Sequence, residues 1–155
     1  MKKTILIAAL SAMLFAFTTV KNDADGDRLT GIWEPSNGKV KVKIDKIGDK
    51  YYGKIVWLKE PIDPKTGSPK VDKNNPDENL RNTPLKGYRI LKDFTYSGDD
   101  EWSEGTIYDP ENGSTYSCTI KMSDENTLDI RGYIGISALG RTDVWKRLKL
   151  PSKKK

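Results

Sequence analysis

From Val40 to Ile44 the chain alternates, with Val40, Val42 and Ile44 separated by Lys41 and Lys43. A period of two places successive side chains on opposite faces of a strand, so this stretch predicts a half-buried β-strand. The pattern returns in Tyr116, Cys118, Ile120 and Met122 against Ser117, Thr119 and Lys121, and again at Leu128 and Ile130. Turn signals stand between such runs: Pro35-Ser36-Asn37-Gly38, Gly48-Asp49, Ser123 to Asn126 and, strongest, Asp109-Pro110-Glu111-Asn112-Gly113. In the last, Asp opens the turn, Pro presets φ at the next position, and Gly accepts φ > 0 at its end. Further strands are predicted at 30–34, 50–58, 86–94, 102–108 and 141–148. About eight strands in sequential hairpins favour an all-β fold, a single antiparallel up-and-down β-barrel, over a sandwich.

Pairing Ile47 with Lys50 across Gly48-Asp49 sets Val42 opposite Ile55 and Val40 opposite Trp57, which turns Ile55 and Trp57 inward. It also faces Lys43 with Lys54, a like-charge pair that counts against this register. The resulting inward set is Val40, Val42, Ile44, Ile55, Trp57, Ile107, Tyr116, Cys118, Ile120, Leu128 and Ile130. An eight-stranded barrel is just wide enough to fill with its own side chains or to hold one small ligand, and these mostly medium-sized residues leave both outcomes open.

One stretch breaks the strand grammar. Residues 60–84 hold Pro61, Pro64, Pro69 and Pro76 before Pro84, and only Asp77 to Arg81 reads as a helical turn, with Asp77 and Arg81 spaced to pair. A loop this long in a compact domain is usually functional or disordered.

The ends differ from the body. Residues 1–20, with Lys2-Lys3 before an apolar run from Ile5 to Phe17, read as a secretory signal peptide, too short for a comfortable membrane span. Residues 21–28 read as a flexible mature N-terminus, 29–149 as the barrel domain and 150–155 as a basic tail. Export to the periplasm or outside the cell follows, with no transmembrane span in the mature form. The formal charge is +5, but Lys2, Lys3, Lys149, Lys153, Lys154 and Lys155 take six of the 27 basic residues and leave 21 against 22 acidic ones. A near-neutral body removes the main support for nucleic-acid binding. Histidine is absent and Cys118 is the single cysteine. That excludes Ser-His-Asp and Cys-His nucleophile chemistry, His-based metal sites and an internal disulfide. No cofactor motif is present.

A barrel closes only if its first and last strands meet. Trp33 in the first strand then plugs one end, and an Arg of the last strand lies over its ring as a cation–π partner. Gly31-Ile32-Trp33, Gly53-Lys54-Ile55-Val56-Trp57-Leu58, Asn75 to Arg81, Ile107 to Gly113, Arg131-Gly132-Tyr133-Ile134-Gly135 and Gly140 to Arg147 occur in this order. Together they resemble the exported bacterial family called domain of unknown function 2147, over residues 29–149. The resemblance implies a calycin-like (lipocalin-like) barrel in the cell envelope and implies no activity. It matches the lipocalin device of a first-strand Trp packed by a last-strand Arg, here Trp33 with Arg147 or Arg141.

The first expectation for function is a barrel binding a small amphipathic or acyl-type ligand, without enzymatic activity. Trp57 and Tyr116 are expected to line its cavity. Arg81, Arg131, Tyr133 and Arg141 are expected at its mouth, where Arg binds carboxylate or phosphate bidentately. The competing expectation is a solid barrel in the envelope whose long loop or exposed aromatics, such as Trp102 and Tyr108, contact a protein or glycan. A calcium reading of Asp72 to Glu78 has alternating oxygen ligands but lacks the loop glycine and carries Pro76 at a ligand position, so no metal is assigned. Glu101 and Glu104 lack a second constellation to frame acid–base work. Cys118 reads as a small buried hydrophobe.

Overall fold

The computed structural model describes residues 23–149. The expected signal peptide at 1–20 and the tail at 150–155 lie outside the described residues. Eight strands follow one another: β1 (Gly31–Glu34), β2 (Val40–Ile47), β3 (Lys50–Leu58), β4 (Arg89–Gly98), β5 (Glu101–Asp109), β6 (Ser114–Asp124), β7 (Thr127–Tyr133) and β8 (Arg141–Arg147). Each pairs antiparallel with the next, and β8 returns to β1 through Trp33 opposite Arg147 and Glu34 opposite Lys146, so the barrel is closed. Closure leaves no free edge for another chain to pair with.

The β2–β3 hairpin keeps the expected register from Ile47–Lys50 to Val42–Ile55, including the Lys43–Lys54 pair. Beyond it the register shifts, so Lys41 faces Trp57 and Val40 faces Leu58. One extra residue on β3 reverses which side chains face inward, as a bulge does. Leu58 therefore packs against the core, while Trp57 is turned out, 39% exposed, with Lys41 Nζ 4.5 Å from its ring centroid. The inward, ligand-lining position expected for Trp57 is corrected by this bulge.

One end of the barrel is plugged. Trp33 is fully buried and donates its indole N–H to Leu29 O at 2.9 Å. The Arg147 guanidinium carbon sits 4.1 Å from the centre of that ring. Its nitrogens donate to three carbonyls: Nη1 to Thr30 O at 2.8 Å, Nε to Glu125 O at 2.7 Å and Nη2 to Arg28 O at 2.5 Å. Burial pulls this guanidinium below its ordinary pKa. Gly31 makes the seat possible, with φ of 144° and a Cβ position that would lie 2.6 Å from Arg147 Nη1. Arg141 stands at the opposite end of β8, so Arg147 is the residue over Trp33.

Residues 23–28, expected to be flexible, instead form a helical turn, α1 (Asp23–Gly26), running into a 3₁₀ turn at Asp27–Leu29. Side-chain bonds tie it across the plugged end. Asp27 accepts from Tyr51 Oη at 2.8 Å and from Lys46 Nζ at 2.9 Å, and Arg28 pairs with Asp100. Burial first, then the bond to Asp27, pushes the Tyr51 hydroxyl up to about 12.

Large rings fill the half of the barrel above this plug. Phe94 lies flat on Gly105, where a Cβ would come within 2.4 Å of the ring. Trp102 is fully buried, with Tyr51 edge-on at 6.3 Å and Tyr96 at 5.1 Å between centroids. Its expected exposure is thus overturned: it lies opposite Ile120 on β6, in the inward row. Each fully buried ring or large aliphatic contributes about 1.5–3 kcal/mol relative to exposure.

Arg147→Ala is expected to destabilise the protein by about 2–4 kcal/mol, because it removes the cation–π contact and three charge-assisted bonds. Urea unfolding should show a lower midpoint with unchanged slope. Arg147→Lys should recover under half of the loss, since one ammonium cannot span three divergent carbonyls.

Candidate functional site

The half of the barrel away from Trp33 is built differently. Its inward residues are aliphatic and medium-sized, among them Val40, Ile55, Leu58, Ile90, Ile107 and Ile130, with Trp145 below them. Above them, a space of about 1220 Å³ bounded also by the long loop and the β5–β6 turn opens to solvent at the barrel mouth. Gly132 adds to the space, because the inward row of β7 runs Leu128, Ile130, Gly132 and loses its side chain at the mouth. A Cβ there would meet Ile107 and Tyr116 only at ordinary contact distances of 3.5 and 3.7 Å.

The long loop between β3 and β4 frames this mouth. Two single bridges fold it back on itself, Ile62 with Pro69 and Val71 with Pro84. A buried polar knot then fastens it to the barrel wall. Asp72 is fully buried and accepts from Tyr108 Oη on β5 at 2.8 Å and from Asn75 Nδ2 at 2.6 Å. Asn75 Nδ2 also donates to Tyr88 Oη at 3.0 Å. Burial first, then the bond to Asp72, raises the Tyr108 hydroxyl well above its ordinary value, and burial raises Tyr88 as well. A second fastening comes from Asn74, whose Nδ2 donates to Pro110 O at 3.0 Å and Glu111 O at 2.9 Å in the β5–β6 turn. Tyr108, expected at the surface, is only 8% exposed because it is one half of this knot. With Trp102 and Tyr108 buried, the competing solid-barrel reading keeps only the long loop as its contact surface.

The rim carries charges of both signs. Lys39 pairs with Glu111 at 2.5 Å and Lys70 with Glu60 at 3.0 Å. The bond to Glu111 raises Lys39, and the bond to Lys70 lowers Glu60. On β8 the inward row reads Arg141, Asp143, Trp145, and Trp145 donates its indole N–H to Asp143 Oδ2 at 2.8 Å. Arg141 lines the mouth and makes no hydrogen bond or ion pair among the described residues.

Of the residues expected at the site, Tyr116, Tyr133 and Arg141 line the cavity, while Trp57, Arg81 and Arg131 do not. Tyr116 accepts from Asn112 Nδ2 at 3.0 Å at the mouth. Arg81 is spent inside the loop, donating to Asn75 O at 2.8 Å and to Glu78 Oε1 at 3.1 Å. The expected Asp77–Arg81 pair is replaced: Asp77 instead caps the short 3₁₀ turn Glu78–Leu80, accepting from Asn79 N at 2.9 Å. Arg131 alternates to the outer face and donates to Ser137 O, Ala138 O and Thr142 Oγ1 at 2.8, 3.2 and 2.9 Å. Asp72, first in the calcium reading, points into the Tyr108 knot, and among the described residues no three acidic or Cys side chains are grouped to hold a metal ion. Ile90 and Leu58 were not in the inward set. Both follow from register shifts in β3 and β4 that carry no local sequence mark.

The sequence profile of the family described as uncharacterized protein conserved in bacteria (DUF2147) matches residues 31–147. No curated protein matches the chain. Among solved structures, a Helicobacter pylori protein described as belonging to the lipocalin family shares 27% identity over 78% of this chain and 83% of its own, with a TM-score of 0.66. An octameric penicillin-binding protein homologue from Pyrococcus abyssi matches at 12% identity over 77% of this chain and 19% of its own, with a TM-score of 0.42, too remote to bear on function.

Asp72→Ala leaves the Tyr108 hydroxyl and the Asn75 amide buried without their acceptor, an expected cost of about 1–3 kcal/mol. The loop should loosen more than the barrel. Limited trypsinolysis should therefore cut faster at Lys65, Lys70, Lys73 and Arg81, while cleavage within the strands changes little.

Proposed function

We propose that this chain, which belongs to the bacterial family described as uncharacterized protein conserved in bacteria (DUF2147), is a non-enzymatic lipocalin-like carrier of a small amphipathic or acyl-type ligand. The observation that carries this reading is the half-filled barrel. Large rings occupy the plugged end, and at the other an open space of about 1220 Å³ has aliphatic barrel walls at its base and the polar rim and long loop around its mouth. Such a wall suits a hydrocarbon chain, at about 0.8 kcal/mol for each methylene taken from water. The mouth suits a polar head, with Arg141 supplying unpaired donors for a carboxylate or phosphate. The membership of the Helicobacter pylori relative in the lipocalin family supports the same reading by analogy of fold.

Catalysis has little support. The chain has no histidine, and burial pushes the Cys118 thiol up to about 12, far from a reactive thiolate. The leader-like residues 1–20 support a site of action in the periplasm or outside the cell.

Binding of cis-parinaric acid, a fluorescent acyl probe, tests the reading. Ile107→Trp projects an indole across the aliphatic base of the cavity, where an acyl chain would lie, and is expected to weaken uptake at least tenfold with little change in unfolding midpoint. Trp57→Ala, on the outer face, should leave uptake unchanged. Equal uptake by all three proteins, or none by any, would contradict carriage in the barrel.

A further inference from the structure

Three of the most exposed large hydrophobics among the described residues fall within one short loop between β7 and β8. Ile134 is 76% exposed, Ile136 61% and Leu139 79%. The loop is not a loose tip. Arg131 clasps the carbonyls of Ser137 and Ala138 from outside the barrel, and a 3₁₀ turn at Ser137–Leu139 closes with Gly140 N donating to Ser137 O at 3.0 Å. The backbone is thus fixed so that three aliphatic side chains stand in solvent. Ile134 and Leu139 stand at the cavity mouth itself.

We propose that this apolar lip docks the barrel mouth-down on an anionic lipid surface. Charge is the first argument. From Ile130 to Thr142 there is no acidic residue, and Arg141 stands at the end of the loop with its guanidinium unpaired among the described residues. The wider rim adds no further positive charge, since Asp63, Asp109 and Asp143 line it along with Lys59 and Lys73, and Glu60 and Glu111 pair there with Lys70 and Lys39. The cationic character is thus confined to the lip itself, where Arg131 and Arg141 flank the apolar tip, and that local match to an anionic headgroup layer favours lipid. Area is the second argument. Three side chains fall well short of the roughly 800 Å² per partner that a stable protein interface buries, which disfavours a second copy or another protein. Tyr133, at the foot of the loop, has the amphipathic ring favoured at headgroup depth. Docked this way, the cavity faces the bilayer, and a cargo passes between them without crossing water. That consequence rests on the carrier reading; the docking does not.

Bimane coupled to the Ala138→Cys variant tests docking directly, because Cys118 is buried and stays unlabelled. Vesicles contain phosphatidylcholine with phosphatidylglycerol and a nitroxide-labelled lipid. At least twofold quenching is expected at position 138, and none from the same probe on Asn126→Cys at the plugged end. Adding Ile134→Ser, Ile136→Ser and Leu139→Ser should abolish the quenching and cut vesicle partitioning at least fivefold; their exposure makes misfolding an unneeded explanation. Equal quenching at both positions, or none at 138, would overturn the proposal. So would a dimer in the absence of vesicles that the serine changes dissolve, which would assign the lip to a second copy. Parinaric acid uptake without vesicles separates the two readings: uptake without quenching sinks docking alone, and quenching without uptake sinks carriage alone.

Discussion

The contact between Arg147 and Trp33 is the constraint from which the rest of the barrel follows. It joins the last strand to the first, and its guanidinium also gathers the carbonyls of Arg28, Thr30 and Glu125 from the helical turn, its exit and the β6–β7 turn. Three separate segments of chain, residues 28–33, the β6–β7 turn and β8 itself, thus converge on one planar cation. The ring beneath it blocks one end, so Leu29, Tyr51, Phe94 and Trp102 pack behind it without water. With one end sealed, any interior space must open at the other, which is where the aliphatic walls, the long loop and the mouth are found. A fork with donors in fixed directions is needed to reach three carbonyls while stacking on an indole, and this is why lysine is a poor substitute.

Much of this was legible in the sequence because β-structure writes its two faces directly into alternate positions. The runs around Val42, Ile120 and Ile130 read correctly, as did the Asp109–Gly113 turn, where Gly113 N donates to Asp109 O at 2.8 Å. What alternation cannot carry is an interruption of itself. The extra residue between Ile55 and Trp57 changes no residue type, yet it moves a tryptophan from the presumed cavity to the outer face. Breaks in the β4–β5 ladder act in the same way. Asp93 and Glu104 take φ of 64° and 63°, allowing Phe94 to fold onto Gly105. Trp102 and Tyr108 are buried by partners far along the chain, Tyr51 and Asp72, which no local pattern reveals.

The candidate site shows the same division. Tyr116 lies on a strand, where alternation turns its side chain inward, and Tyr133 and Arg141 bound the Gly-rich segment at the mouth, so all three line the cavity as expected. Arg81 and Arg131 have the right chemistry for binding an anion, but local carbonyls consume their donors. Whether an Arg is free or structural is decided by backbone geometry that no spacing rule contains. The two that are spent still shape the site: one stiffens the long loop and the other holds the apolar lip outward. The buried Asp72 completes this arrangement: among the described residues its donors are the Tyr108 hydroxyl and the Asn75 amide, and burial of such a polar group is tolerated because both bonds are made. Its knot keeps a 25-residue proline-rich excursion, residues 60–84, folded beside the mouth instead of inside it.

Whether the barrel carries cargo is decided most directly by native mass spectrometry of the protein recovered from its own cells, before and after mild organic extraction. A discrete adduct of a few hundred daltons, lost on extraction and reduced in Ile107→Trp, is the expected result. A bare polypeptide mass in both samples, with the cavity filled only by solvent, would contradict carriage.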